Sequence, residues 1–403
     1  QFDETLKALE ESINSTFGTE NLFLSEALGR YLAVDIVAPW NNPENETSSM
    51  DGYALRYEDQ SLGTLKISDF LPAGSYKAGV VKKKECIKTF TGSLMSEGSD
   101  TLIPIENVQV DGQNIHIVAP VPKGFSVRLV GENYKKGEVL IKKGTKIGYA
   151  QIGVMAELGM VQVEVFVRPK IAVLATGSEI LDFGEPKTSP AQIFSSNHVT
   201  IQGILQESGC QTQRLKLIKD DKKEIETQLA QALMWNDIVV TTGGVSVGDF
   251  DFVKEILGDM EVEYIVDGAF IKPGRHIKIV KIGHKYIFAL PGFPYSSSVC
   301  AFLYILPLLR KMRAQNFAIP TCKAFIAENY IKRSKYTEFT ACNLRFDEGR
   351  LVVDLDGKKE GSSAILNNLL DNAMLLKVAP EVKEIKKGEM VEVVLLGLRE
   401  IKS

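Results

Sequence analysis

Four short stretches of this chain combine small residues, hydroxyls and carboxylates: ATGSEI (175–180), KDD (219–221), TTGGVSVGDFD (241–251) and LPGFPYSSS (290–298). Gly243, Gly244 and Gly248 carry no side chain that would keep backbone N–H groups away from phosphate oxygens, and Ser246 adds a hydroxyl. The loop has neither a Gly-Lys-Ser/Thr ending nor GxGxxG spacing, so it is not one of the two common nucleotide fingerprints. A glycine-rich turn without a ligand is the alternative. Glu179, Asp220, Asp249 and Asp251 stand near the same loops, where carboxylates alone would repel an anion. A hard cation removes the conflict, because Mg²⁺ is held by one or two carboxylates together with phosphate oxygens. A magnesium-bridged phosphate ester is the economical reading; helix capping is the alternative for Asp220 and Asp249. IKPGRHIKIVK, from Ile271, sets Lys272, Arg275 and Lys278 around a Pro-Gly turn, either a grip for an oxyanion or a solvated basic turn. SSMDGYALR (48–56) places Asp51 before Gly52 and reads, taken alone, as a turn bearing a carboxylate. His116, His198, His276 and His284 form no ligand pair and read as core or surface residues.

The elements around these stretches explain how they could meet. From about residue 169 apolar runs alternate with helical patterns: KIAVLATG, CQTQRLKLIKDD, DIVVTTGG and KYIFALPG read as strands. NHVTIQGILQES, KKEIETQLAQALMW, DFDFVKEILGDM and YSSSVCAFLYILPLLRKM read as helices. This alternation predicts a doubly wound parallel sheet over 169–315, and in such sheets ligands bind at the carboxyl ends of the strands. All four chemical stretches fall there. Residues 1–45 and 140–168 read as a helical and linker region, with one helix on Phe2, Leu6, Leu9 and Ile13 and a second from Leu24 capped by Ser25. Residues 46–139 read as an inserted small β domain of short runs and Asp-Gly turns, and 316–403 as a C-terminal β-barrel-like domain. The fold class expected is α/β plus β in a multidomain chain.

Composition narrows the function classes. With 403 residues, 44% hydrophobic and 24% charged, the chain reads as multidomain and globular. A formal net charge of −4 gives no general attraction to nucleic acid or to an anionic membrane. Cys86, Cys210, Cys300, Cys322 and Cys342 show no metal or redox spacing and read as free thiols of a reducing cytoplasm. No segment reads as a secretory leader or a bilayer span.

SSMDGYAL, ATGSEI, TTGGVSVGDFDFVK, IKPGR and LPGFP occur in this order, and the set resembles the molybdenum cofactor biosynthesis family of bacterial MoeA and the gephyrin E domain. The resemblance covers nearly the whole chain. It implies an elongated homodimer, the N-terminal region serving dimerisation, in which adenylylated molybdopterin and molybdate give molybdenum cofactor and AMP with Mg²⁺. It further implies that Asp51 reaches the active site across the dimer, that Glu179, Asp220 and Asp251 surround the pyrophosphate and metal, and that Lys272 and Arg275 bind molybdate or phosphates. Gly243, Gly244, Ser246 and Gly248 would cradle the terminal phosphate, with Thr176, Gly177, Ser178, Thr242, Asp249, Pro291, Gly292, Pro294 and Ser362 completing the pterin site. A molybdopterin adenylyltransferase upstream and apo-molybdoenzymes or their chaperones downstream are the implied partners. The chain departs from the pattern at Asn133 (usually Asp), Phe293 (usually Asn), Gly268 (usually basic) and Arg275 (commonly Lys), and Lys335 stands where an Arg-rich entry is usual. A weakened, pterin-binding carrier or scaffold is therefore the alternative to a full transferase.

Overall fold

The computed structural model describes residues 1–75, 79–245, 252–359, 361–371 and 373–397, which divide into two compact units. One unit holds residues 1–33, 143–148 and 162–403, the other residues 34–142 and 149–161. Among the described residues no helix is long and apolar enough to cross a membrane.

The larger unit is built on a six-stranded sheet in the order Gln211–Arg214, Lys170–Ala175, Ile238–Thr242, Lys285–Leu290, Lys278–Ile282, Glu263–Asp267. Its first four strands are parallel. Residues alternate between the two faces with period two, so Ile171 and Val173 enter one core while Ala172 and Leu174 enter the other. Helices Asn197–Glu207 and Pro294–Cys300 cover the first face through Ile201, Leu205 and Val299. Helices Lys222–Trp235 and Phe252–Asp259 cover the second through Ile225, Leu229, Ile256 and Leu257. Each wholly buried Ile, Leu or Val contributes roughly 1.5–3 kcal/mol. The expected parallel sheet is therefore present, with one difference: Lys278–Ile282 runs against the other strands, antiparallel to Lys285–Leu290 and to the edge strand Glu263–Asp267. The two-residue Gly283-His284 hairpin joins Lys278–Ile282 to Lys285–Leu290, making that pairing local in place of a crossover helix.

After Pro294–Cys300 the helix continues as a π turn, Ala301–Ile305, and then as Leu306–Met312. Pro307 supplies no N–H, and the wide turn lies just before it. The C-terminal strands Thr321–Ile326, Thr337–Asp347, Arg350–Asp354, Ala373–Val378 and Met390–Val394 close on themselves, because Thr337–Asp347 pairs with both Arg350–Asp354 and Ala373–Val378. This closed five-strand barrel is the C-terminal β domain expected from the short β-prone runs. Ile271–Lys272 adds to it as an extra parallel partner of Thr337 and Glu338. The basic turn is thus stitched directly to the barrel.

The helix predicted from Leu24 with a Ser25 cap is absent. Only a single 3-10 turn forms, Leu24–Glu26, and Gly29 takes a left-handed φ of 77°. Beyond it the backbone is recruited by neighbours: Leu32 N–H donates to Thr145 O at 3.0 Å and Ala33 N–H to Glu164 O at 3.0 Å. Tertiary pairing overrode a helical spacing of apolar residues. Helix Phe2–Ser12 forms as expected, burying Phe2 and Leu9.

The smaller unit carries a six-stranded sheet in the order Thr101–Pro104, Gly52–Leu55, Glu85–Thr89, Thr64–Leu71, Asn114–Ile117, Val108–Asp111. Gly52–Leu55, read from sequence as part of a turn, is one of its inner strands and is buried throughout. A Cβ on Gly52 would lie 2.2 Å from Ile103 O, so no other residue fits without displacing the neighbouring strand.

Candidate active site

The strand order reverses between Lys170–Ala175 and Ile238–Thr242, since the chain steps first to one side and then to the other. That switch point is where open α/β sheets bind ligands. Ala175, Thr242 and Leu290 stand in register, so the loops that follow them leave one rim together. Thr176 N–H donates to Thr242 O at 3.2 Å and Gly243 N–H to Leu290 O at 3.1 Å. The approach is close: a Cβ on Gly243, whose φ is 94°, would lie 2.8 Å from Thr176 O. One on Gly292 would lie 3.7 Å from Gly243 Cα.

Two of the predicted carboxylates stand on this rim. Asp220 accepts from Ser178 N–H at 2.8 Å, and its own N–H donates to Ser178 Oγ at 3.2 Å. Glu179 folds back over Gly177, where a Cβ would come within 2.9 Å of Glu179 Oε2. The alternative assigned to Asp220, a helix cap, belongs instead to Asp221, whose side chain accepts from Glu224 N–H at 2.8 Å at the start of Lys222–Trp235. Thr176 and Thr242 are buried, and the Thr242 hydroxyl has no hydrogen-bond partner among the described residues. Pro291 and Pro294 flank exposed Gly292 and Phe293, and Asn197 Nδ2 donates to Gly292 O at 2.6 Å. Ser246, Gly248, Asp249 and Asp251 lie outside the described residues.

The segment carrying Glu179 is braced from behind. Ile193 N–H donates to Glu179 O at 3.0 Å, and the short strands Ile180–Leu181 and Ile193–Phe194 pair in parallel. Fully buried His198 places Nδ1 2.7 Å from Ser195 Oγ and Nε2 3.5 Å from Asp182 Oδ1. Burial, and then the Arg214 guanidinium, hold the imidazole below its usual pKa despite Asp182. His198 is thus a core residue, as its isolation in the sequence suggested.

The basic turn contributes differently from residue to residue. Lys272 lines a cleft with Tyr295, Arg333, Glu338, Lys359 and Ser362, and its Nζ stands 3.6 Å from Glu338 Oε1. Arg275 donates to the Tyr336 hydroxyl at 3.0 Å, and that bond lowers the tyrosine pKa. Its guanidinium is not among the cleft's lining groups. Lys335 holds its ammonium 5.8 Å from the centre of the Tyr336 ring. Lys278, grouped with these residues by sequence, is buried and ion-paired to Asp267. Gly268 has a φ of 83° in the turn that brings its N–H to Ile277 O, a conformation that favours glycine.

In the smaller unit Asp51 Oδ1 accepts from Thr91 N–H at 2.8 Å and from Thr91 Oγ1 at 2.7 Å. These bonds, with Lys88 adding a weaker pull, hold the exposed carboxyl below its usual pKa, so it is ionised at neutral pH. Thr91 and Glu338 were not anticipated from sequence. Thr91 stands forty residues from Asp51 and is brought to it only by pairing of Gly52–Leu55 with Glu85–Thr89. Glu338 looked like an ordinary strand residue.

Comparison with known proteins extends these observations. The profile described as MoeA N-terminal region (domain I and II) matches residues 1–159, and the one described as probable molybdopterin binding domain matches residues 172–311. A molybdopterin molybdenumtransferase of Haemophilus influenzae is 33% identical over 319 residues, covering 78% of this chain and 78% of the relative. One from Staphylococcus epidermidis is 29% identical over 382 residues, covering 93% and 90%. The crystal structure of a molybdopterin biosynthesis moeA protein from Pyrococcus horikoshii OT3 superposes with a TM-score of 0.82 at 29% identity, covering 98% of this chain and 99% of that one.

Proposed function

This chain belongs to the molybdopterin molybdenumtransferase (MoeA) family, and from that premise we propose that it inserts molybdate into adenylylated molybdopterin with Mg²⁺, releasing AMP and molybdenum cofactor. It is an enzyme of molybdenum cofactor biosynthesis, a transferase. The observation that carries the finer reading is the switch-point rim, where closely packed glycine loops at three strand ends stand beside the carboxylates of Glu179 and Asp220.

The donor set there suits Mg²⁺: hard carboxylate oxygens on an open rim, leaving room for phosphate oxygens and water. Glu179 and Asp220 would hold the ion, with Asp251, outside the described residues, the third carboxylate that the family resemblance assigns to it; when bound the ion would neutralise charge on the phosphates. The protein's own work is positional. Gly243 and Gly244 let their loop close against Thr176 and Val253, and the Ser178–Asp220 pair fixes the neighbouring loops against each other. Lys272, with Arg333 and Lys359, supplies positive charge for a tetrahedral oxyanion, and Ser362 a hydroxyl. Cleaving a phosphoanhydride asks for charge neutralisation and orientation more than for a nucleophilic side chain. Asp51, held ionised by Thr91, is the remaining carboxylate of the reaction. A homodimer in the cytoplasm, fed by a molybdopterin adenylyltransferase and delivering to apo-molybdoenzymes, completes the proposal.

The test is reconstitution of an apo-molybdoenzyme by the purified protein supplied with adenylylated molybdopterin, Mg²⁺ and a range of molybdate concentrations. Lys272→Ala should raise the molybdate concentration needed for half-maximal activity by roughly 10-fold or more, with a smaller effect on the maximum. An unchanged molybdate requirement would remove Lys272 from the oxyanion site.

A further inference from the structure

Among the described residues lining the Lys272 cleft, Glu338 is the acid. Its side chain is 5% exposed, and its two oxygens are treated unequally. Oε2 accepts from the Tyr330 hydroxyl at 2.8 Å, and that hydroxyl also stands 2.8 Å from Thr340 Oγ1. Oε1 has no hydrogen-bond partner among the described residues and faces Lys272 Nζ at 3.6 Å, beyond hydrogen-bonding reach. The two residues are also direct partners in the parallel pairing of Ile271–Lys272 with Thr337 and Glu338. The carboxylate is therefore fixed on one side and left open toward the cleft, beside a lysine whose side chain is 38% exposed. A buried carboxylate oxygen without a hydrogen bond is costly, and proteins retain one where its charge is used.

We propose that Glu338 is a built-in competitor for the oxyanion: it partly neutralises Lys272 in the free protein, so that an incoming oxyanion must take the ammonium from it. The inference rests on the reading that this cleft takes molybdate. Two effects oppose each other if the charge is removed. Freeing Lys272 restores rotamer freedom that binding must then suppress, a loss of at most about 30-fold. Against this, a unit charge 4 Å away at an effective dielectric of about 20 weakens binding by about a thousandfold per ligand charge before solvent screening. Repulsion is the larger effect, and it is greater for a dianion than for a monoanion. A cleft without Glu338 would bind the oxyanion tightly and release it slowly to the reacting centre.

The experiment is calorimetric titration of the intact protein and its Glu338→Gln form with molybdate and with perrhenate, a tetrahedral monoanion, at fixed ionic strength. The glutamine retains a carbonyl to accept from Tyr330, so folding should survive, which thermal melting verifies. Glu338→Gln is expected to tighten molybdate binding by at least about tenfold and perrhenate binding by less. Unchanged or weaker molybdate binding by a folded Gln variant would overturn the proposal while leaving the cleft assignment standing. Failure of both forms to bind either oxyanion would overturn the assignment and the proposal together. If the Gln variant does not fold, the wild-type ratio decides: a molybdate preference over perrhenate below about tenfold supports the competitor, and one above about a hundredfold overturns it.

Discussion

Ser178 and Asp220 hold each other across two strand ends, the Ser178 N–H donating to the Asp220 carboxylate at 2.8 Å and the Asp220 N–H donating to Ser178 Oγ at 3.2 Å. The pair gives Asp220 two duties, bracing and charge, and two substitutions separate them. Asp220→Asn keeps an oxygen for Ser178 and loses the charge; Asp220→Ala loses both. If charge is the main contribution, each should lower single-turnover AMP release by roughly 100-fold. Near-normal release by the Asn form would reduce Asp220 to a brace.

The next residue makes a control. Asp221 caps Lys222–Trp235 and does not touch Ser178 in any hydrogen bond described. Asp221→Ala should lower unfolding free energy by about 1 kcal/mol in urea titrations and leave the rate per folded molecule unchanged.

Asp51 owes its lowered pKa first to the Thr91 backbone N–H and second to the Thr91 hydroxyl. Thr91→Ala removes only the second. The carboxyl pKa should then rise part of the way toward the ordinary carboxylate range, and the acid limb of the kcat/KM profile, where Asp51 must be ionised, should move to higher pH. A limb that stays in place would mean that Asp51 does not govern it.

His198 predicts a pH dependence of stability. Because burial holds its folded pKa below the unfolded value of about 6.5, the unfolded chain takes up the proton first as pH falls. The stability linked to this group is complete above about pH 6.5 and declines as pH drops toward the folded pKa. Asp182 and Arg214, the charged neighbours of the ring, act in opposite directions on it. Urea unfolding of the wild type and His198→Gln at about pH 7.5 and 5.5 checks this, the variant losing less stability between the two.

Gly52 precedes the buried run of an inner strand, and the 2.2 Å clash of a Cβ with Ile103 O can be relieved only by moving backbone. Gly52→Ala should cost about 1–3 kcal/mol, read as a lower melting temperature.

Much of this architecture was legible because it follows from periodicity. Alternation of apolar strands and amphipathic helices identified the sheet, and the rule that ligands sit at strand carboxyl ends led to Glu179 and Asp220. The basic turn was legible only in part: its charges are visible in sequence, but Lys278 turns inward to Asp267 and Arg275 toward Tyr336. Long-range partners were hidden for a physical reason. Thr91 with Asp51, and Lys272 with Glu338, meet through strand pairing across dozens of residues, and local pattern carries no record of such contacts. The absence of the helix expected from Leu24 has the same origin, since neighbouring backbone groups outcompeted a weak local preference.

The central claim, molybdate-dependent transfer at the switch-point rim, is tested most directly by single-turnover release of AMP from adenylylated molybdopterin, with Mg²⁺ and with or without molybdate. Molybdate-dependent release, lost in Asp220→Ala, is the result predicted. Tight pterin binding with no AMP release would contradict it, making the protein a molybdopterin binder, with Asn133 the first position at which to restore charge.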